Sequence, residues 1–179
     1  MKKKLLISYD GTNYAGWQIQ PNGLAIQQVI EEKISRIYAG KPLRLEASGR
    51  TDAGVHAVAQ CAHFEEPESF PSIPNDKIFR ALNRMLPEDI RIIRVEDVDS
   101  SFHARFSAKA KTYVYVINTG VQTAFNSRWC WHLGDFRKLD EVELALKMLE
   151  GRHDFSSFTV ERNEIDSAER NMMRAGMLE

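Results

Sequence analysis

Cysteine is nearly absent: Cys61 and Cys130 are the only two in 179 residues, far apart and outside any C-x-x-C spacing. That excludes a disulfide scaffold and fits a reducing, cytoplasmic compartment. No apolar run approaches the roughly 18 residues of a membrane span, so no membrane segment is expected. Met1-Lys2-Lys3-Lys4 looks like the basic end of an export signal, but only Leu5, Leu6 and Ile7 follow before Ser8 and Asp10. That apolar stretch is too short for export. A Gly-x-x-x-x-Gly-Lys-Ser/Thr phosphate loop and a Gly-x-Ser-x-Gly elbow are both missing, so neither nucleoside-triphosphate use nor serine-hydrolase chemistry is indicated. Metal-ligand types occur at Asp10, Asp52, His56, His103, His153 and Asp154, but none falls in a His-Glu-x-x-His or Asp-x-Asp arrangement. No metal is expected. Charge of one sign is also lacking: 24 Lys and Arg stand against 25 Asp and Glu, for a net charge of -1. What is present is the balance of a folded domain, 43% hydrophobic and 27% charged.

The charge is uneven along the chain. Residues 1–60 carry eight Lys and Arg against five Asp and Glu; residues 65–101 carry five against nine. A near-zero total can therefore hide a basic face opposite an acidic one.

Periodicity sets out the elements. Leu5 to Tyr9 reads as a strand. From Ala25 to Tyr38, Ile26, Val29, Ile30, Ile34 and Ile37 follow helical spacing, with Gly40 as a stop. Leu43, Leu45 and Ala47 alternate with Arg44 and Glu46 as in a strand. Val55 to Phe64 is another apolar run. Glu65 to Pro74 holds three glutamates and three prolines and reads as a surface connection. Ile78, Leu82 and Met85 mark a short amphipathic helix, and Ile90 to Val95 a further strand. The order is β-α-β-β-α-β, the split pattern of ferredoxin-like sheets. The pattern then restarts. Tyr113, Tyr115 and Ile117 alternate with Val114 and Val116, a strong strand signal. Trp129 to Leu133 suggests a short strand, and Leu139 to Leu149 a helix ended by Gly151. After Thr159 the pattern fades, and the tail beyond Ile165 reads as no convincing strand.

Three segments carry chemistry. In Gly49-Arg50-Thr51-Asp52-Ala53-Gly54-Val55-His56-Ala57, two glycines bracket an arginine and an aspartate. Asp52 is suited to accept hydrogen bonds or act as a nucleophile, and in an extended loop Arg50 pairs with it and keeps it ionised. A tight turn with a structural Arg–Asp pair is the plain alternative. Phe102 to Tyr113 contains Arg105, Lys109 and Lys111, His103, three aromatics and no acid. Basic and aromatic groups in alternation suit a nucleic-acid backbone and a stacked base; a solvated loop leading into a buried strand is the alternative. Tyr9 to Gln20 offers aromatics and amides, including Gln18, either to a base or to the sheet core. Lys2, Lys3 and Lys4 are suited to touch phosphate or to solubilise the end.

Together Tyr9-Asp10-Gly11-Thr12, Tyr14-Ala15-Gly16-Trp17-Gln18, Gly49 to Ala57, Phe102-His103-Ala104-Arg105, Lys111-Thr112-Tyr113-Val114-Tyr115 and Gly151-Arg152-His153-Asp154-Phe155 resemble, in order, the tRNA pseudouridine synthase A family. The resemblance implies an α+β pseudouridine synthase fold of tandem ferredoxin-like βαββαβ halves with a mixed antiparallel sheet. The halves would span 1–104, with the catalytic loop, and 105–179, incomplete, with an active-site tyrosine. It implies a cofactor-free isomerase, working as a homodimer, that converts uridine to pseudouridine at positions 38 to 40 in the anticodon arm of tRNA. Asp52 then matches the catalytic aspartate, with Arg50 and Tyr113 beside it. Tyr113, Arg105, Lys109, Lys111, His56 and Gln18 are the expected substrate contacts. The family's later segment has no match here. An RNA-binding chain without catalysis, and more remotely a metal-dependent phosphoesterase using Asp10, Asp52 and His56, are the alternatives.

Overall fold

The computed structural model describes residues 1–159 and 167–177. Two compact units divide between Tyr113 and Val114, so residues 105–113 group with the first.

The first unit runs β1 (Lys2–Tyr9), α1 (Ile26–Ile37), β2 (Glu46–Ala47), β3 (Ala57–Glu65), α2 (Asn75–Met85) and β4 (Ile90–Val98). The sheet order is β2-β3-β1-β4, and every neighbouring pair is antiparallel. β1 is central, and its alternate residues Lys3, Leu5, Ile7 and Tyr9 are buried. Ile26, Ile30 and Ile34 of α1 and Ile78 and Leu82 of α2 join the same core. The apolar spacing of 3.6 thus meets the apolar spacing of two across one interface. Of the strand expected over Leu43 to Ala47, only Glu46 and Ala47 pair with β3.

Lys3 is the exception in this core, with 1% of its surface exposed. Its Nζ sits 2.6 Å from Asp97 Oδ1 and 3.7 Å from Glu66 Oε2, and donates to the Ile73 carbonyl at 3.0 Å and to Asn75 Oδ1 at 3.0 Å. Glu66 is buried too, and accepts from the Tyr38 hydroxyl, Ser72 and the Ile73 amide. Burial pushes the Glu66 carboxyl up. The Ile73 amide, Ser72, Tyr38 and Lys3 outweigh that and hold it below its ordinary value. A hydrogen bond from Lys3 holds Asp97 low.

Two expectations are corrected here. The N-terminal lysines are not phosphate ligands in waiting, because each faces an acid directly across the sheet. Lys2 opposes and pairs Glu65, Lys3 opposes Asp97, and Lys4 opposes Glu96. The basic start is therefore neutralised by three acids of the 65–101 stretch as cross-strand pairs. The connection from Glu65 to Pro74 is likewise not wholly on the surface, since Glu66 turns inward to meet Lys3.

The second unit has a parallel pair β5 (Ile117–Asn118) and β6 (Trp131–His132), helix α3 (Leu139–Leu149), and an antiparallel pair β7 (Gly151–Asp154) and β8 (Glu169–Met172). α3 occupies the span its periodicity predicts, yet none of its residues is buried. The strand expected over Thr112 to Ile117 is reduced to its last residue, which begins β5. Alternation supplies the side chains of a pleat, but a strand also needs backbone partners; among the described residues 112–116 belong to no strand pair. Conversely, β8 forms in a tail whose sequence carries no strand pattern, because β7 supplies the ladder. Ile165 itself lies outside the described residues.

Removing one partner of a buried ion pair costs about 3–5 kcal/mol. Half of the Asp97 carboxylate is exposed, so Lys3→Met should lose stability near the lower end of that range in urea unfolding. Lys4→Met, losing a partly exposed cross-strand pair, should lose less than about 1 kcal/mol. Carboxylates held low stabilise the fold above their unfolded values and lose that contribution as pH falls. The melting temperature should therefore drop steeply below about pH 4, and less steeply in Glu66→Gln.

Candidate active site

The site is built where two loops meet backbone to backbone. The first follows β1, and the second joins β2 to β3. Their contact is set by glycine. A Cβ placed on Gly11 would lie 2.0 Å from the Val55 carbonyl oxygen, and one on Gly16 2.6 Å from the Thr51 carbonyl oxygen. Gly16 also has φ of +94°. No side chain fits either approach.

Hydrogen bonds join the loops on both sides of Asp52. The Trp17 amide donates to the Thr51 carbonyl at 3.0 Å, and the Tyr9 hydroxyl meets Thr51 Oγ1 at 2.9 Å. Downstream, the Gly54 amide donates to the Tyr14 carbonyl at 3.3 Å, and the Gly11 amide points at His56 Nδ1 at 3.1 Å. Between them Asp52 opens a tight turn. Its carbonyl accepts from the Val55 amide at 3.2 Å, and Gly54, with φ of +79°, takes the position where a type II turn requires the left-handed region. Burial holds the Tyr9 hydroxyl above its ordinary value, against hydrogen bonds to Thr51 and Gln60 that lower it, so it is a neutral strut. Burial and Asp89 do the same to Tyr14, whose hydroxyl donates to Asp89 Oδ1 at 2.7 Å.

Asp52 itself is exposed, as is Arg50. The expected Arg50–Asp52 pair does not form: among the described residues there is no ion pair between them. The chain bends at Ser48 and Gly49 and turns again at Ala53-Gly54, so the side-chain alternation of a strand does not carry across the loop. His56 is on the same loop, with Nδ1 turned toward Asp10 Oδ1 at 2.9 Å. Lys111 reaches the loop from the other side, its Nζ 2.9 Å from where a Gly49 Cβ would stand. Arg105, Lys109 and Gln18 are exposed, and Tyr113, two residues beyond Lys111, is 72% exposed. Asp52, Arg50 and His56 thus share one clamped loop, with Lys111 against it.

The basic segment is anchored at its start. The Ala104 amide donates to His63 Nδ1 at 3.2 Å, and the Arg105 and Phe106 amides point at His103 Nδ1 at 3.2 and 3.4 Å. His103 Nε2 lies 2.8 Å from Glu46 Oε2. Glu46, His63 and His103 bring three possible ligand atoms within 4.8 Å of one another. Their hydrogen bonds argue against a metal cage. Each Nδ1 spends its lone pair on a backbone amide, so each Nε2 carries the proton and offers a cation nothing. Burial, and then the nearby His103, holds His63 below its ordinary value, which keeps its Nδ1 free to accept. Asp10 and His56 meet, but Asp52 joins no cluster of three possible ligands among the described residues. The phosphoesterase alternative gains no support from this arrangement.

The charged residues of the loop are visible in the sequence, but the groups around them are not: Thr51 and Asp10 against the loop, and His63 and Glu46 against the start of the basic segment. The glycine spacing in Asp10-Gly11 and Ala15-Gly16 was the available signal.

A family model described as tRNA pseudouridine synthase matches residues 5–107. The chain is 41% identical over 175 residues to tRNA pseudouridine synthase A of Geobacillus sp. (strain WCH70), covering 97% of this chain and 69% of that protein. It is 42% identical over 174 residues to the Geobacillus kaustophilus protein of the same name, covering 96% and 66%. Against that of Lacticaseibacillus casei the identity is 38% over 177 residues, covering 98% and 70%. The first unit is an α+β domain on an antiparallel sheet, and these matches define the family: the chain belongs to the tRNA pseudouridine synthases. It spans about two thirds of the length of these relatives.

Gly11→Ala and Gly16→Ala should each cost roughly 1–3 kcal/mol, because backbone must yield to the new methyl group. Gly120→Ala, whose Cβ would meet only the Asn118 side chain at 3.5 Å, should stay within about 0.5 kcal/mol. Thermal unfolding of the three variants tests this.

Proposed function

We propose that this chain isomerises uridine to pseudouridine in the anticodon arm of tRNA, at positions 38 to 40, with Asp52 as the catalytic carboxylate and no cofactor. The observation that carries the reading is Asp52 itself: an exposed carboxylate on a turn fixed on both flanks, in a chain whose relatives are named for this activity.

The reaction breaks N1–C1′, turns the uracil and joins C5 to C1′; N1 gains a proton and C5 loses one, so the product is an isomer. A carboxylate serves either route, adding covalently to substrate or removing a sugar proton to give a glycal-like intermediate. In this reading Arg50, two residues away and without an acidic partner among the described residues, acts on substrate rather than on Asp52. The target uridine must leave its stack, which costs a few kcal/mol and is cheapest beside a loop. Tyr113 is the stacking platform for it, and its hydroxyl the group that handles the C5 proton. Arg105, Lys109 and Lys111 follow the backbone phosphates, and Gln18 is a further substrate contact. In this reading a second, incomplete ferredoxin-like half begins at about residue 105, nine residues ahead of the second compact unit, and the enzyme works as a cytoplasmic homodimer. Among the described residues no helix is long and apolar enough to cross a membrane.

A second reading is RNA binding without turnover. It is favoured by the exposure of Tyr113 on a segment that pairs with no strand among the described residues.

Tritium release from C5-labelled unmodified tRNA decides between them. Asp52→Asn keeps the shape but not the charge, and should abolish release with tRNA affinity within about threefold; full activity would sink the assignment. Tyr113→Phe that binds but does not turn over would assign the hydroxyl, and release retained with weaker binding would assign the ring. Affinity should fall steeply between low and physiological salt, with Lys109→Ala and Lys111→Ala each lowering the salt slope by about one.

A further inference from the structure

We infer that Asp10 and His56 form a positioning brace that fixes the Asp52 turn, and that His56 acts through Nδ1 toward the protein rather than through Nε2 toward the RNA. The inference rests on the functional reading above and assigns His56 a different task from the substrate contact that the family resemblance implies.

Asp10 Oδ1 is a shared acceptor. It takes the Thr12 amide at 3.0 Å and the Thr12 hydroxyl at 2.6 Å, and lies 2.9 Å from His56 Nδ1. The Gly11 amide lies 3.1 Å from the same Nδ1. One ring nitrogen either donates to Asp10 or accepts from Gly11, and both partners belong to the first loop. In either protonation state His56 is therefore tied to that loop. The Asp10 amide is itself held by the Asp89 carbonyl at 2.9 Å, which fixes this end of the brace to the segment entering β4. Asp10 is mostly shielded, with 16% of its side chain exposed against 36% for His56. The brace closes the downstream side of the turn, as Thr51 closes the upstream side. Without it, the downstream side of the turn keeps the Gly54–Tyr14 bond at 3.3 Å and the pairing of Ala57 with Tyr9, but the segment between them loses its side-chain tie and the carboxylate shifts. Misplacement of a reacting group by about 1 Å can cost about a hundredfold in rate without loss of binding.

Amide isosteres separate the two ring nitrogens. Asparagine places its amide where Nδ1 stands, and glutamine where Nε2 stands. His56→Asn should keep kcat within about threefold, whereas His56→Gln and His56→Ala should lower it about tenfold or more with KM for tRNA unchanged. Asp10→Ala should match His56→Ala, and the double variant should be little worse than either. Amide exchange at Gly11, Thr12 and Gly54 should quicken about tenfold or more in His56→Ala and His56→Gln, but not in His56→Asn. A substrate contact through Nε2 reverses the pattern: an active His56→Gln, an impaired His56→Asn and a raised KM would overturn the brace. If the wild-type chain forms no pseudouridine, the functional reading fails, and the exchange measurement still decides: unchanged protection in His56→Ala overturns the brace alone.

Discussion

The approach of one backbone to another at Gly11 and Gly16 is the constraint on which the site depends. β1 ends in the centre of the sheet, so the loop that follows it leaves from the best-supported point in the unit. The loop between β2 and β3 starts two strands away. For the second loop to be fixed, it must lie against the first, and at van der Waals distance only glycine leaves room. Once the backbones touch, their amides and carbonyls find one another, and Thr51, Gly54 and His56 become anchored around an aspartate that, among the described residues, no side-chain bond restrains. The rigidity of the turn and the openness of the carboxylate thus have separate sources. That combination suits a group that must be well placed and still accessible.

The fold beneath the site rests on an unusual choice, a lysine on the core face of the central strand. Elsewhere on that face β1 shows Leu5, Ile7 and Tyr9. Lys3 is tolerated because Asp97 stands opposite it in register, and because Glu66 and the Ile73 carbonyl complete its coordination. The polar cluster sits at the opposite end of β1 from the functional loops. It ties the connection before α2 to the sheet.

How much of this was legible in the sequence varies with range. Helices α1 and α3 were legible because their periodicity is local, and the α3 span was legible to the residue. The Gly-Arg-Thr-Asp loop was legible as unusual because glycines bracket charges. What was not legible depends on register. Nothing in Met1 to Lys4 says that three lysines will oppose three acids, since that follows from strand pairing across more than 60 residues. The Arg50–Asp52 pair failed for the related reason that spacing of two means adjacency only in an extended chain. Residues 112–116 show the converse, a strand pattern without a ladder.

These points bear on how the chain would meet RNA. A cation already paired across a sheet releases few counterions when a phosphate arrives, because its partner must be displaced or left unpaired. Lys2, Lys3 and Lys4 are spent in this way, so the first four residues add little to affinity despite their charge. Arg105, Lys109 and Lys111 have no acid in an ion pair among the described residues. The sequence between Phe102 and Tyr113 contains none to supply one. The segment is also tethered at its start through Ala104 to His63, and Lys111 returns to Gly49 beside Arg50. Lys111, at least, is thereby drawn to the aspartate loop, while the neutralised Lys2, Lys3 and Lys4 lie along the sheet. A net charge of -1 conceals this sorting, because what matters for the RNA is where positive charge is left unopposed, not how much of it the chain contains.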